Sequence, residues 1–375
     1  MPRAGLILTG GGARAAYQVG VLRGINDLLG RPKKNPFPIL CGTSAGAINA
    51  AALACGADDF AGAVDTLVGV WAEFRAERVY RTDLPAIVGR GARWLGALTL
   101  LYRNNPESLL DNAPLRELVE RTLALERIQA NIDAGALYAV SITASGYSSG
   151  QSVSFYQGGP EVVEWERSQR VGAATPLTVD ILMASAAIPF IFPAVKVNRE
   201  FFGDGSMRQI APISPALHLG ADRVLVIGTG RRPGEPPRVR SNVYPSLAQI
   251  AGHALNSIFL DSLAVDIERL QRINRTISLI PEETRRAAGV SLRHVEVLVM
   301  NPSEPLERIA ARHAPELPWT VRFLLRAIGA MNRNGSNLAS YLLFEGPFCQ
   351  ALIDLGYADT IARRDDVLAF LGAAG

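Results

Sequence analysis

The chain has 375 residues, 48% of them hydrophobic and 19% charged, with a formal net charge of +3 at pH 7. This length and composition allow a large buried core, and the scattering of basic among acidic residues excludes a nucleic-acid-binding arm. Three cysteines without a CxxC pair predict buried free thiols in a reducing compartment. The first apolar run is too short for a signal peptide and the longer ones contain arginines, so we expect a cytoplasmic protein without a spanning helix, with peripheral membrane contact left open.

Two apolar runs near the start each lead into a glycine-containing turn and then into a helix. Residues 4–9 form the first run, and from Ala15 the apolar side chains share one helical face as far as Leu29. The second run, Ile39–Cys41, is followed by a turn and by an alanine-rich helical segment to about Cys55. Each unit therefore predicts a buried parallel strand, a sharp turn and a helix.

The rest of the chain continues to alternate between helices and strands. Helices are predicted at 59–80, 108–127, 176–186, 246–274 and within 303–372. Strands are predicted at 137–143, 151–156, 194–197, 200–202, 223–228, 275–280 and 293–300, and loops at 188–193 and 231–241. This alternation predicts an α/β fold with a mainly parallel sheet and helices on both faces, as one domain over 1–300 with a helical C-terminal extension over 301–375 packed on it.

The strongest local pattern is a G-x-S-x-G sequence, residues 42–46, between a predicted strand and a predicted helix. An esterase nucleophile projects from a tight strand-to-helix turn, and glycine two residues to either side lets neighbouring backbone approach without a Cβ clash. The following helix directs its N-terminal amides at the reacting centre and favours negative charge there. The pattern indicates Ser44 as a nucleophile with Gly42 and Gly46 as the glycines of its elbow; the alternative is a glycine-rich turn with a helix-capping serine.

A second candidate is the glycine run Gly10, Gly11 and Gly12, which joins the first strand to its helix and precedes Arg14. Bare backbone amides are the preorganised donors that a tetrahedral oxyanion requires. Arg14 would add a cation beside this oxyanion hole or bind a substrate phosphate, unless it is a surface arginine paired with a carboxylate. The run also fits a dinucleotide-binding G-x-G-x-x-A pattern, although the next strand ends at Cys41 without the acidic residue that holds a ribose.

A third candidate is Asp204, which lies in a glycine turn over residues 203–206. The alternative is an ordinary Asp-Gly hairpin turn. A G-x-S-x-G hydrolase of the usual kind needs a histidine after the acid, and the four histidines of the chain are at positions 218, 253, 294 and 313. None follows a strand in a loop of the expected kind, so we expect structural roles for all four. If no histidine serves, an aspartate must accept the serine proton directly.

Taken together, these motifs resemble those of the patatin-like phospholipase family. Residues 10–22 are similar to the family's oxyanion motif and first helix, and residues 42–46 match its elbow. Residues 184–189 match its pre-aspartate segment, and residues 204–206 match its aspartate motif. The four segments occur in family order over roughly 200 residues, a combination much more specific than any one of them.

The resemblance implies a Rossmann-like three-layer α/β/α sandwich and a lipid acyl hydrolase without a metal or organic cofactor. Carried over, Ser44 attacks the ester carbonyl of a phospholipid or another acyl ester, and Asp204 accepts its proton. The loop of Gly10–Gly12, with the amides of Gly11 and Gly12 as donors, would hold the oxyanion together with Arg14. Two departures from the family pattern are Ala15 and Ser206, which stand where glycine is usual, and neither removes a reacting group.

Several apolar segments are candidates for substrate or membrane contact. Residues 190–192 and 201–202 would suit an acyl chain or the core equally. Residues 86–102 and 319–331 mix apolar side chains with arginines, as an interfacial lid or an ordinary helical hairpin would. Two other functions stay open at this point: a small-ester Ser-His-Asp esterase, and a non-catalytic nucleotide-binding module that uses the Gly10–Gly12 loop.

Overall fold

The computed structural model describes residues 3–83, 89, 108–230, 247–290, 292–327 and 336–372. The segment at 86–102, a candidate lid or helical hairpin, lies outside the described residues apart from Gly89, as does the predicted loop at 231–241. So does the end of the candidate membrane segment, 328–331.

The strands and helices of the described residues are numbered here in chain order. The strands are β1 (Ala4–Leu8), β2 (Ile39–Thr43), β3 (Ala139–Gly146), β4 (Ser152–Gly158), β5 (Trp165–Arg167), β6 (Arg170–Ala174), β7 (Val195–Val197), β8 (Glu200–Asp204), β9 (Arg223–Ile227) and β10 (Glu296–Met300). The helices are α1 (Ala16–Leu28), α2 (Ala45–Cys55), α3 (Phe60–Ala72), α4 (Ala113–Thr122), α5 (Arg127–Asp133), α6 (Val179–Ser185), α7 (Ser214–His218), α8 (Leu247–Asn256), α9 (Ser262–Ser278), α10 (Glu282–Ala287), α11 (Leu306–His313), α12 (Trp319–Ala327), α13 (Ser336–Leu342), α14 (Gly346–Ala362) and α15 (Arg364–Leu371). A π-helical turn, Ser257–Asp261, joins α8 to α9.

One sheet forms the centre of the molecule, with the strand order β10-β9-β1-β2-β3-β4-β6-β5. The five strands from β10 to β3 are parallel to their neighbours, whereas β4 runs antiparallel to β3. The short strand β8 also pairs antiparallel with β3, and β7 pairs with β8. This mainly parallel sheet between helices confirms the predicted α/β fold.

The central strands are apolar on both faces because helices cover both. Leu6 and Leu8 belong to one buried cluster and Ile7 to a second, since successive side chains of a strand point to opposite faces. The first cluster lies under α1, α2, α3 and α14, and the second lies under α7 and α9. Burial on both faces explains why these strands read as continuous apolar runs rather than as alternating ones.

The C-terminal helix α14 packs directly on α1. A Cβ at Gly20 would collide with the carbonyl of Ile353, and one at Gly356 would collide with the carbonyl of Tyr17, so glycine allows the two backbones to touch. The Tyr17 hydroxyl also donates to Asp359 Oδ2 over 3.0 Å inside this contact. The helical C-terminal residues therefore share the core of the sheet.

The predicted strand at 275–280 is wrong, because α9 continues to Ser278. Its buried residues Leu263, Leu270 and Ile277 are spaced seven apart, so Ile277 prolongs the buried face of the helix. The pattern also failed to predict β5 and β6, in which charged residues outnumber the buried ones; there Trp165 stacks on Tyr156 with ring centroids 5.1 Å apart.

The helical run from Gln249 to Ser278 is long and apolar enough to cross a membrane by length and composition. No such helix is predicted from the sequence. Of its most apolar window, 29% is buried in the protein, and buried core helices pass the same test.

Candidate active site

Ser44 occupies a strained turn between β2 and α2. Its backbone angles, φ 56° and ψ −129°, lie in a region that L-residues other than glycine rarely adopt, at a cost of about 1–3 kcal/mol. A Cβ at Gly42 would lie 2.5 Å from the carbonyl oxygen of Gly46, and a Cβ at Gly46 would collide with the carbonyl of Leu8. The two glycines are therefore required by close backbone contact, and the serine is held at the tip of the turn.

A buried serine outside the predicted site supports this turn. The backbone N–H of Ser44 donates to Ser185 Oγ over 2.9 Å, and the Ser185 hydroxyl donates to the carbonyl of Thr143 over 2.6 Å. Ser185 thus fastens the nucleophile's own amide to β3. No role for Ser185 is predicted from the sequence, where only its place in the pre-aspartate segment marks it.

The sheet register brings Asp204 next to Ser44. Strand β2 pairs with β3 as far as Thr43 opposite Thr143, and β8 then continues the same side of β3 with Asp204 opposite Ala144. The two strands approach head to head, so the residue after β2 and the last residue of β8 meet at one point of the sheet edge. The predicted pair, 160 positions apart in sequence (204 − 44), is brought together by β3.

The carboxyl group of Asp204 is fully buried. Its Oδ1 accepts from the backbone N–H of Ser206 over 2.9 Å, while Oδ2 has no hydrogen bond of standard geometry within the described part of the chain. Burial raises the pKa of Asp204 to about 6, and the nearby Ser44 hydroxyl and the Ser206 amide and hydroxyl partly oppose this by favouring the ionised form. A carboxyl group with such a pKa is a competent general base near neutral pH.

The glycine loop approaches the same point from β1. Gly12 adopts φ +55° and lines a cavity together with Ser44. The carbonyl of Gly10 accepts from Thr229 Oγ1 over 2.9 Å, which ties the loop to the end of β9. Within the described residues, no backbone hydrogen bond is donated by the amide of Gly11 or Gly12.

The Arg14 side chain points elsewhere. It is 2% exposed, and its guanidinium donates to Ser340 Oγ over 2.8 Å and to the Tyr341 hydroxyl over 3.2 Å. Further donations reach Asn337 and Asn256. The alternative of a surface arginine paired with a carboxylate is therefore wrong. The guanidinium donates its hydrogen bonds to α13, and a role of Arg14 at the oxyanion hole stays a prediction.

The cavity beside Ser44 has a volume of about 70 Å³ and apolar walls from α2, α3 and α4. Phe192 and Ile188 from the predicted apolar loop contribute to it. Phe190 and Phe201 are instead 71% and 51% exposed. Of the aromatic residues proposed for acyl contact, only Phe192 thus lines this cavity among the residues that the structure describes.

The four histidines, all within the described residues, lie away from this cavity. His218 stacks on Trp165 with centroids 4.9 Å apart, and burial, together with three nearby arginines, lowers its pKa to about 4. His313 contacts Glu316 over 2.9 Å, while His253 and His294 are exposed. No histidine stands between Ser44 and Asp204.

The remaining reactive groups are the thiols and the side chains that could bind a metal ion. Cys41, Cys55 and Cys349 are buried and free, which confirms the prediction for the thiols, and burial raises the pKa of Cys55 to about 12. No group of three or more His, Cys, Asp or Glu side chains suited to a metal ion occurs in the described part of the chain.

Known proteins share the segment that contains all of these motifs. The family model of the patatin-like phospholipases matches residues 6–217. A cGAMP-activated phospholipase from Pseudomonas aeruginosa is 30% identical over 243 residues, which are 60% of this chain and 61% of that protein, so the chain spans under two thirds of its relative. The crystal structure of VipD from Legionella pneumophila aligns over 92% of this chain and 67% of its own, with 13% identity and a TM-score of 0.33. From the family match we conclude that the chain belongs to the patatin-like phospholipase family.

Proposed function

We propose that the protein is a serine lipid acyl hydrolase, of the phospholipase A or lysophospholipase kind, that uses a dyad of Ser44 and Asp204. The observation that carries this proposal is the meeting of a strained serine with a buried carboxyl group of raised pKa, at the wall of an apolar cavity. Membership of the family supports an activity on lipid esters.

The proposed reaction begins when Ser44 Oγ attacks the ester carbonyl carbon and its proton passes to Asp204. The carbonyl oxygen becomes an oxyanion, which the amides of Gly11 and Gly12 stabilise as charge develops. The tetrahedral intermediate collapses, the C–O bond to the alcohol breaks, and the leaving alkoxide takes the proton from Asp204. Water then attacks the acyl-enzyme with Asp204 again as base, which releases the fatty acid and restores Ser44.

The apolar lining of the cavity favours contact with the acyl part of an ester substrate. Its walls include Leu67, Trp71 and Phe74 from α3 and the loop after it, and Leu115 from α4. Such a lining removes an alkyl chain from water at about 0.8 kcal/mol per buried CH₂. Phospholipids and other acyl esters fit this requirement, whereas a water-soluble short ester gains little from it.

Helix α12 supports peripheral contact with a membrane, and we propose a cytoplasmic protein that acts at a bilayer surface. Trp319 and Phe323 are one helical turn apart and 62% and 71% exposed, and the exposed Arg326 follows on the same face. Aromatic side chains flanked by basic residues suit the interface of anionic lipids. The hydroxyl of the adjacent Thr320 donates to the carbonyl of Thr82 over 2.7 Å, which attaches the start of α12 to the rest of the protein.

Flotation with phosphatidylglycerol vesicles tests this contact. The double variant Trp319→Ala/Phe323→Ala should lose most of its vesicle binding, while Leu279→Ala, which removes a side chain that is 80% exposed elsewhere, should bind as the wild type does. If the double variant and Leu279→Ala bound the vesicles equally well, α12 would not be the contact surface.

A second proposal concerns control by a nucleotide. A cavity of about 1420 Å³ with both polar and apolar lining residues lies beyond the carboxyl ends of β1 and β9, where open α/β sheets bind ligands, and it exceeds the ~300–1,000 Å³ of typical small-molecule sites. Thr229, Arg14 and Arg308 are among its lining residues. Since the P. aeruginosa relative is a cGAMP-activated phospholipase, we propose that a cyclic dinucleotide raises turnover here too.

Turnover measured with and without cGAMP tests this proposal. An Arg308→Ala variant should be activated more weakly, and an unchanged rate at saturating nucleotide would reject the proposal.

The hydrolase itself is tested by labelling with an alkyl fluorophosphonate. Mass spectrometry should find the label on Ser44, and a lipidomic digest should show fatty acid release by the wild type but not by Asp204→Asn. If a histidine variant lost turnover as completely as Asp204→Asn, the Ser-His-Asp esterase would replace this proposal. Cyclic dinucleotide binding without any labelling or ester turnover would favour the non-catalytic nucleotide-binding module.

A further inference from the structure

Arg14 links the glycine loop to the C-terminal helices. Its backbone lies in the turn that closes the loop, and its N–H donates to the carbonyl of Gly11 over 3.1 Å. Its guanidinium crosses to α13, where it donates to Ser340 Oγ, to the Tyr341 hydroxyl and to both the carbonyl and the side-chain oxygen of Asn337. One residue therefore belongs to both parts of the molecule.

The contact with α13 also includes the loop backbone. A Cβ at Gly12 would collide with the carbonyl oxygen of Tyr341, so the last turn of α13 rests directly against this glycine. The Tyr341 ring lies under the Arg14 guanidinium at 4.0 Å, and its hydroxyl donates to Asn256 Oδ1 over 2.7 Å. The loop is thus held between α13 on one side and Thr229 of the β9 end on the other.

All of these partners of Arg14 are neutral. A buried guanidinium normally pairs with a carboxylate, and here its N–H groups are instead matched by carbonyl, amide and hydroxyl oxygens in a fixed fork. A group whose donors are used in this way has none to spare for an oxyanion. Its geometry serves to hold two elements together.

We propose that Arg14 is a positioning residue that clamps the Gly10–Gly12 loop to α13, so that the C-terminal helices set the position of the oxyanion donors. This proposal rests on the proposed function, because it assigns the amides of Gly11 and Gly12 to the oxyanion. It differs from a direct role in one respect: residues of α13 that lie outside the Ser44 cavity should affect catalysis as Arg14 does.

The test removes the clamp from its far side. Asn337→Ala and Ser340→Ala take acceptors from Arg14 without changing the loop, and the second variant is needed because Asn337 also donates to the carbonyl of Gly252. Asn274→Ala is the matched control, since the Asn274 side chain makes two hydrogen bonds with the backbone of Val295 in another part of the molecule. Each variant is assayed for kcat and KM with a soluble p-nitrophenyl ester, and for amide hydrogen exchange of the peptide that contains Gly10–Gly12.

We expect Asn337→Ala and Ser340→Ala to lower kcat by roughly tenfold with KM within twofold, and Arg14→Ala to lower it by about 10²-fold, as for the loss of one oxyanion donor. The double variant Arg14→Ala/Asn337→Ala should be no worse than Arg14→Ala, because both changes break one clamp. Arg14→Lys should resemble Arg14→Ala, since an ammonium keeps the charge and loses the fork. Exchange of the loop peptide should rise in all five variants and stay unchanged in Asn274→Ala.

Wild-type kcat and exchange in both α13 variants would overturn the proposal, as would full activity of Arg14→Lys, which would show that the charge acts on the oxyanion directly. Failure of the hydrolase itself would look different. The wild type would then neither turn over esters nor react with fluorophosphonate, while the hydrogen exchange would still report whether the clamp orders the loop.

Discussion

Two glycine-containing turns meet at the candidate active site, and they are held in different ways. The glycines of the Ser44 elbow are required by the first part of the chain, because the atoms that exclude a side chain at Gly42 and Gly46 belong to residues 8–50. The oxyanion loop is fixed by distant parts of the chain, with Thr229 and Tyr341 against Gly11 and Gly12. The shape of the elbow therefore depends on nearby residues, with Ser185 as an added support of the Ser44 amide, whereas the proposed oxyanion loop depends on the assembled tertiary structure.

The largest effect is expected from the elbow. Ser44→Ala removes the nucleophile and should lower kcat by at least ~10⁴-fold while leaving the fold intact, since alanine is smaller and makes no new contact. Turnover of a fluorogenic lipid and the melting temperature check both parts, with Ser278→Ala on the exposed end of α9 as control. Residual activity within tenfold of the wild type would remove Ser44 from the mechanism.

Asp204→Asn tests the partner that the sheet register supplies. The amide cannot accept the serine proton, so kcat should fall by about 10²–10⁴-fold. The free energy of unfolding of the variant should instead rise. Because the pKa of Asp204 is raised in the folded state, its ionised carboxylate destabilises the fold, fully so above about pH 6. This penalty disappears as the pH falls below the unfolded pKa near 4. The variant should thus be more stable than the wild type by about 2–3 kcal/mol at pH 7 and equally stable at pH 3.5. Urea unfolding at the two pH values measures this, and a stability loss at pH 7 would contradict it.

Gly12→Ala tests the loop that the tertiary structure holds. The new Cβ would meet the carbonyl of Tyr341 at a positive φ, so the loop must move and kcat should fall by about 10²–10³-fold. Gly30→Ala is the matched control, because Gly30 also has a positive φ of +70° but a Cβ there would have no other atom within 4 Å. Both variants should lose stability through backbone strain of about 1–3 kcal/mol. Only Gly12→Ala should lose activity, and equal activity in the two would separate the loop from catalysis.

The smallest effect is a pH dependence that both turns share. The base must be ionised to accept a proton, so kcat/KM should fall about tenfold for each pH unit below a midpoint near 6. A pH–rate profile from 4.5 to 8 with a soluble ester measures the midpoint. An acid limb near pH 4 would show that Asp204 is not buried in the working enzyme.

Much of the site was predictable because its local geometry leaves a direct trace in the sequence. Close backbone contacts require glycine, so Gly42 and Gly46 around Ser44 marked the elbow, and Gly10–Gly12 marked the loop. Ser185 left no such trace: a buried serine that accepts from one backbone and donates to another looks like any other serine until the fold is known. The strand predicted at 275–280 failed for a related reason, since a short apolar run does not show whether a helix or a strand buries it.

The sequence by itself determined the α/β order and the two glycine turns and marked the hydroxyl and carboxyl groups that we propose react, because strand burial and close backbone contact restrict residue type position by position. Only the tertiary structure decided that β8 meets β2 along β3, that Asp204 is buried enough to raise its pKa, and that Arg14 bonds to α13. These features depend on contacts between residues 60 to more than 300 positions apart. No local pattern encodes such contacts, since they exist only once the chain has folded.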